Sequence, residues 1–250
     1  MISLSRQFGL VAALVMGLAL TPAAHAAGGG AKLVPSEVNV HDLASLQSGA
    51  QLYVNYCIGC HSLNFMRYNR LAADLELSEE MVTNNLMFTD AKFGEPMTNA
   101  MTKEAGELFF GKAPPDLSLI GRSRGADWIY NYLINFYQDE NGGWNNTILE
   151  NAAMPHVLWQ LQGIQVPVYE THMEGEVEVQ KVVSLELAEP GLMSEEEYQS
   201  AMRDLTAFLD YVGEPIQLQR KKIGVWVMAF LAFFAFLAFL LKAEYWRDVH

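Results

Sequence analysis

The sequence predicts a mainly α-helical protein with long loops, one small β-hairpin and a single C-terminal membrane helix. Three observations carry this. Apolar residues recur three or four positions apart in several stretches, which is helical spacing. Alternation of the strand kind is confined to residues 165–187, where Glu176-Val177-Glu178-Val179 leads into Val182, Val183, Leu185 and Leu187. Residues 223–241 contain no charge, amide or hydroxyl.

In chain order, residues 1–26 read as a secretory signal peptide. Arg6 is its one charge, an apolar run covers 8–20, and Ala24-His25-Ala26 is an A-x-A-like cleavage site. The mature chain is expected to begin near Ala27 with a flexible Gly28-Gly29-Gly30. Asp42 is placed to cap a helix over 42–56, with Leu43, Leu46, Ala50, Tyr53 and Cys57 on one stripe. Ser78 caps a short helix reaching Leu86. Residues 88–121, rich in Gly, Pro and Asn, read as loops with little regular structure. A helix is expected over 126–137, with Ile129, Tyr132, Leu133 and Phe136 as its apolar face. Ser194 and Glu197 form a capping box for a further helix, whose stripe is Tyr198, Met202, Leu205, Leu209 and Val212. Gly213 and Pro215 end it.

The apolar run 223–241 would span roughly 28 Å as a helix, close to the hydrocarbon thickness of a bilayer. Arg220, Lys221 and Lys222 flank one end, Lys242 and Arg247 the other, with Trp226, Tyr245 and Trp246 suited to the interfaces. Cations on both sides make the positive-inside rule indecisive. The signal peptide sets the expected orientation: residues 27–219 outside the cytoplasm, 223–241 in the membrane, 242–250 inside. The outer part carries 10 Lys and Arg against 27 Asp and Glu, a formal charge of −17. That excludes nucleic acid as a natural partner and suits a basic protein, because such a field steers association.

The chemistry is announced by Cys57-Ile58-Gly59-Cys60-His61. Cys-x-x-Cys-His is the attachment pattern of c-type haem: each thiol forms a thioether with one vinyl group, and the adjacent imidazole binds the iron. Both cysteines of the chain lie in this motif. A zinc site would need further ligands, and a thioredoxin-like site would follow a strand rather than a helix. The sixth iron position then decides the class. A methionine would close it and favour electron carriage; an open position would favour catalysis or gas sensing. Met66 is too near His61 to reach the other face, Met202 lies on a core stripe and Met228 in the membrane. Met154 stands out, in a loop beside Pro155 and far from His61 in sequence, though the pattern alone leaves other methionines and histidines open.

The ordered set of motifs resembles the cytochrome c1 family, the haem subunits of quinol–cytochrome c oxidoreductase (cytochrome bc1) complexes. The segments that match are Cys57 to His61 followed by Ser62, Pro114-Pro115-Asp116-Leu117-Ser118, Arg122-Ser123-Arg124, Met154-Pro155-His156-Val157-Leu158-Trp159, and the C-terminal membrane helix. The resemblance covers essentially the whole mature chain. It implies a class I cytochrome c-like domain with one covalent haem c, attached at Cys57 and Cys60 and ligated by His61 and Met154. It implies Arg124, and less directly Arg122, as partners of a haem propionate, and Pro115 as an apolar wall. His156 reads as structural.

It further implies a one-electron carrier in the bacterial inner membrane with its haem domain in the periplasm. The electron would come from a Rieske iron–sulfur subunit and leave to a cytochrome c. The membrane helix would sit beside a cytochrome b subunit in a complex expected to be dimeric. No substrate bond would be made or broken on this chain. An independent membrane-anchored monohaem cytochrome c, or an open-site haem enzyme or sensor, are the alternative readings. Mitochondrial members have a longer loop region and extra cysteines, so contacts with accessory subunits do not carry over.

Overall fold

A computed structural model describes residues 33–174 and 177–249. The expected signal peptide, the glycine run and part of the hairpin tip lie outside the described residues. The chain divides into two units, residues 31–218 and a second that includes residues 219–250.

The first unit is mainly helical. Helix α1 (Leu43–Tyr56) begins where Asp42 accepts hydrogen bonds from the Ala44 and Ser45 N–H groups. The last long helix of the unit, α8 (Glu195–Gly213), begins with the expected capping box, Ser194 and Glu197 each satisfying the other's backbone N–H. These two helices pack together as the centre of the core. Leu46, Ala50 and Tyr53 face Met202, Leu205 and Phe208, all buried, with the Tyr53 and Phe208 rings 5.6 Å apart. Each buried Leu, Met or Phe among them stabilises by about 1.5–3 kcal/mol. The helices meet at Gly49, where a Cβ would run into the Asp204 carbonyl and come within 2.6 Å of the Phe208 Cβ. Only glycine permits that approach.

Around this pair run β1 (Leu63–Arg67), α2 (Tyr68–Asp74), α3 (Glu79–Asn85), β2 (Pro96–Met97), α4 (Lys103–Phe110), α5 (Ile120–Ser123) and α6 (Ala126–Ile134). Strands β1 and β2 pair antiparallel across an irregularity. Helix α3 is capped by Ser78 as the sequence predicts. Helix α4 falls in the stretch expected to be loop. Thr102 caps it by accepting from the Ala105 N–H, and Gly111 stops it in the left-handed conformation. Gly106 is its one buried residue; Ala105, Leu108 and Phe109 have helical spacing, but the stripe is too brief to stand out from the Gly, Pro and Asn around it.

Helix α6 ends three residues before the expected boundary. Asn135 turns back to donate to the Asn131 carbonyl, and the aromatic run that follows becomes β3 (Phe136–Gln138). It pairs with β4 (Trp144–Asn146), Phe136 opposite Asn146 and Gln138 opposite Trp144. The short helix α7 (Trp159–Gln162) leads into the hairpin of β5 (Gly163–Glu174) and β6 (Val177–Pro190), longer than the sequence suggests. Gln165 anchors the hairpin's base by donating to the carbonyls of Ile134 and Phe136, each at 3.0 Å. The fold is therefore the class I c-type arrangement predicted: helices around a core, long connections and small antiparallel sheets.

Helix α9 (Gln217–Tyr245) takes its first two residues from the first unit and the rest from the second. Its stretch Ile223–Tyr245, uncharged as far as Leu241, is unburied, with Trp226, Phe230 and Phe234 exposed. A helix apolar on every face is stable when lipid covers it.

Candidate functional site

The Cys57–His61 motif is the turn that ends α1. The N–H groups of Cys60 and His61 both donate to the Cys57 carbonyl, at 3.0 and 2.9 Å, which folds the pair into one tight loop. Cys57 is buried and Cys60 half-buried, and both are free thiols. Burial, and then the neighbouring Cys60, push the Cys57 thiol up to about 12. A thiol held neutral in this way is a weak nucleophile. Among the described residues no other His, Cys, Asp or Glu side chains gather to complete a metal cluster.

His61 is aimed by its neighbours. Its Nδ1 lies 2.7 Å from the Pro115 carbonyl oxygen, so Nδ1 carries the proton and donates. The lone pair is then on Nε2, the arrangement that an iron-ligating imidazole requires. Burial holds its pKa below the ordinary value, outweighing the Pro115 hydrogen bond and the Asp116 charge. The residues present fit a covalent haem: two free thiols one turn apart, and a neutral imidazole with its tautomer set.

The segment carrying Pro115 is fastened to the strand after the motif. Asp116 accepts from the Asn64 N–H at 2.9 Å and, in an Asx turn, from the Ser118 N–H at 2.8 Å. Leu117 N–H donates to the Ser62 carbonyl and Phe65 N–H to the buried Ser118 hydroxyl. The Tyr53 hydroxyl donates to the His61 carbonyl at 2.5 Å. Pro115 is an expected site residue, whereas the role of Asp116 emerges from the fold. Its signal was the Asp-x-Ser pattern, which reads as a local turn clamp.

Met154 lies half-buried on the connection between β4 and α7. Two asparagines hold the start of that connection. Asn145 accepts from the Asn151 N–H at 2.8 Å. Buried Asn146 accepts from Ile148 N–H at 2.9 Å and donates to the Tyr132 carbonyl at 2.7 Å. Asn151 takes a left-handed backbone, φ 57°, which asparagine tolerates. Leu158, buried, closes the other end by accepting from the Leu161 and Gln162 N–H groups. Nothing in their local pattern marks the two asparagines as anchors.

The arginines lie near the start of α6. The Arg124 guanidinium stacks over the Trp128 ring at 4.9 Å, and Trp128 stacks in turn on Tyr132 at 5.0 Å. Arg122 forms an ion pair with Glu214 at 2.8 Å. The structure thus brings Cys57, Cys60, His61 and Pro115 into one cluster and gives the two arginines separate contacts.

The model of the Cytochrome C1 family matches residues 36–249. The chain is 48% identical over 229 residues to cytochrome c1 of Allochromatium vinosum, covering 90% of this chain and 93% of the relative. It is 42% identical over 240 residues to a protein of Nitrosomonas europaea named ammonia monooxygenase gamma subunit, covering 95% and 97%. Cytochrome c1 of Rhodospirillum rubrum is 29% identical over 270 residues, with 94% of each chain covered.

Proposed function

This chain belongs to the cytochrome c1 family, the membrane-anchored haem c subunits of cytochrome bc1 complexes, and on that premise we propose that it passes single electrons from a Rieske iron–sulfur subunit to a cytochrome c. The observation that carries the site is the His61–Pro115 hydrogen bond, which presents Nε2 as a ligand atom beside two free thiols. A covalent haem c supplies a one-electron iron couple. Cys57 and Cys60 would hold it, and His61 and Met154 would ligate its iron.

The roles follow from the chemistry of each side chain. A thioether opposite an imidazole raises the potential and closes the iron to small ligands, which suits a relay. Pro115 walls the His61 side. Arg124, held over Trp128, is the better placed arginine to pair with a propionate, since a fork of N–H donors matches a carboxylate. Arg122 already serves Glu214, which a propionate would have to share. The acidic outer domain attracts a basic cytochrome c. Helix α9 anchors the chain beside cytochrome b, the haem domain lies in the periplasm of a bacterial inner membrane, one haem is carried, and the complex is dimeric.

Purification from detergent-solubilised membranes tests this. One haem c per chain, together with a b-type haem protein and an iron–sulfur protein, is the expected result. Copurification with ammonia-oxidising subunits would favour the assembly in the Nitrosomonas relative's name. Isolation of the chain alone would favour an independent cytochrome. Native ferrous protein should not bind carbon monoxide; binding would overturn the His61/Met154 pair.

A further inference from the structure

His156 lies two residues beyond Met154 and is 2% exposed. Its ring stacks on Phe136, centroids 4.9 Å apart and planes within 4°, and meets Trp144 edge-on at 5.2 Å. Phe136 and Trp144 are diagonal neighbours on one face of the β3–β4 ribbon, because Gln138, two residues after Phe136, is the partner of Trp144. Both ring nitrogens are sealed from solvent and neither makes a well-formed hydrogen bond; the one polar group acting on them is the Gln162 side chain, whose Oε1 has no other partner. An imidazole used through its nitrogens would show a partner or an open edge. This one has a single weakly placed polar neighbour and two close aromatic contacts, so its faces are the better-used part.

The connection around it is fastened elsewhere by backbone hydrogen bonds, at Ile148 and Asn151 on one side and at Leu158 on the other. Between those ends, Pro155 removes an N–H, and His156 is the buried residue nearest Met154 in sequence. We propose that His156 is a positioning residue: its ring, seated on Phe136 and flanked by Trp144, pins the middle of the loop so that the Met154 thioether stays on the iron. This rests on Met154 being the sixth ligand.

The test uses the detergent-solubilised full chain in its complex, with three readouts: carbon monoxide binding by the ferrous haem, the reduction potential, and the sulfur-to-iron charge-transfer band of the ferric haem. His156→Ala should raise the carbon monoxide-binding fraction by about tenfold or more, lower the potential and weaken the band. Trp144→Leu, which loosens the ring without touching the loop, should do the same to a smaller extent. His156→Phe should restore wild-type behaviour, because it keeps the flat ring and discards only the nitrogens. If His156→Ala does not accumulate as haem protein, Trp144→Leu against wild type decides.

Closed, wild-type-like haem in both loosening variants overturns the proposal, provided that Met154→Leu opens the iron. A His156→Phe variant as open as His156→Ala also overturns it, since the nitrogens would then matter. If Met154→Leu itself stays closed with an unchanged potential, the ligand assignment has failed and this inference falls with it.

Discussion

The His61 segment and the Met154 segment are held by different forces. Around His61 the chain is fastened by polar contacts: Tyr53 and Pro115 fix its carbonyl and its Nδ1, and Asp116 and Ser118 lock the Pro115 segment to β1. Around Met154 the chain is fastened polar at its ends and aromatic in its middle, through Asn146 and the Phe136–His156–Trp144 group. Polar contacts set direction within a narrow angle. Aromatic contacts fill space and leave the backbone some freedom. One side of the proposed haem is thus rigidly aimed, and the other is a loop whose grip depends on packing.

The largest test of this contrast removes each ligand residue in turn. His61→Ala should prevent accumulation of folded haem protein. Met154→Leu should keep the haem attached, bind carbon monoxide and lower the potential. Haem staining after denaturing electrophoresis, with difference spectra, checks both; loss of attached haem in Met154→Leu would erase the contrast. Next comes Asn146→Ala, which strands the Tyr132 carbonyl and the Ile148 N–H. It should cost about 2–3 kcal/mol and also open the iron to carbon monoxide. Asp116→Ala loses two exposed or half-exposed contacts and should cost about 1–2 kcal/mol, measured by chemical denaturation, with the iron still closed. An open iron there would show that the polar clamp reaches the far side.

Tyr53→Phe keeps the ring against Phe208 and loses the bond to the His61 carbonyl. About 1 kcal/mol of stability and a small shift in potential are expected. Asp204→Asn is a control away from both segments, with the smallest effect. Burial raises the Asp204 pKa, so its charge penalises the fold at neutral pH. The asparagine variant should be slightly more stable near pH 7, and the gain should fade as pH falls through the raised value, where the aspartic acid is neutral too. A thermal-melt series across pH measures it.

Much of the helical frame is legible in the sequence because the signals are local. Asp42, Ser78 and Ser194 cap the helices they were assigned to, and the stripe from Tyr198 to Val212 is buried in full. Two misreadings have specific causes. Helix α4 is eight residues long and buries almost nothing, so its brief stripe of Ala105, Leu108 and Phe109 is lost among the surrounding Gly, Pro and Asn. The aromatic run ending α6 fits a helix face or a strand equally well, and Asn135 together with pairing to β4 settles it as strand.

The candidate site divides in the same way. Cys57, Cys60 and His61 lie within five consecutive residues, so their spacing alone points to a haem. The 19 apolar residues from 223 announced a membrane, since bilayer thickness sets a length that composition can reveal. What only the tertiary structure decided was orientation. That the His61 Nδ1 donates to Pro115, that Asp116 clamps the segment, and that His156 offers a flat ring to Phe136 all depend on residues tens of positions apart meeting at hydrogen-bond or van der Waals distance. Linear spacing carries composition and period; it carries no angle, and angle is what aims a ligand.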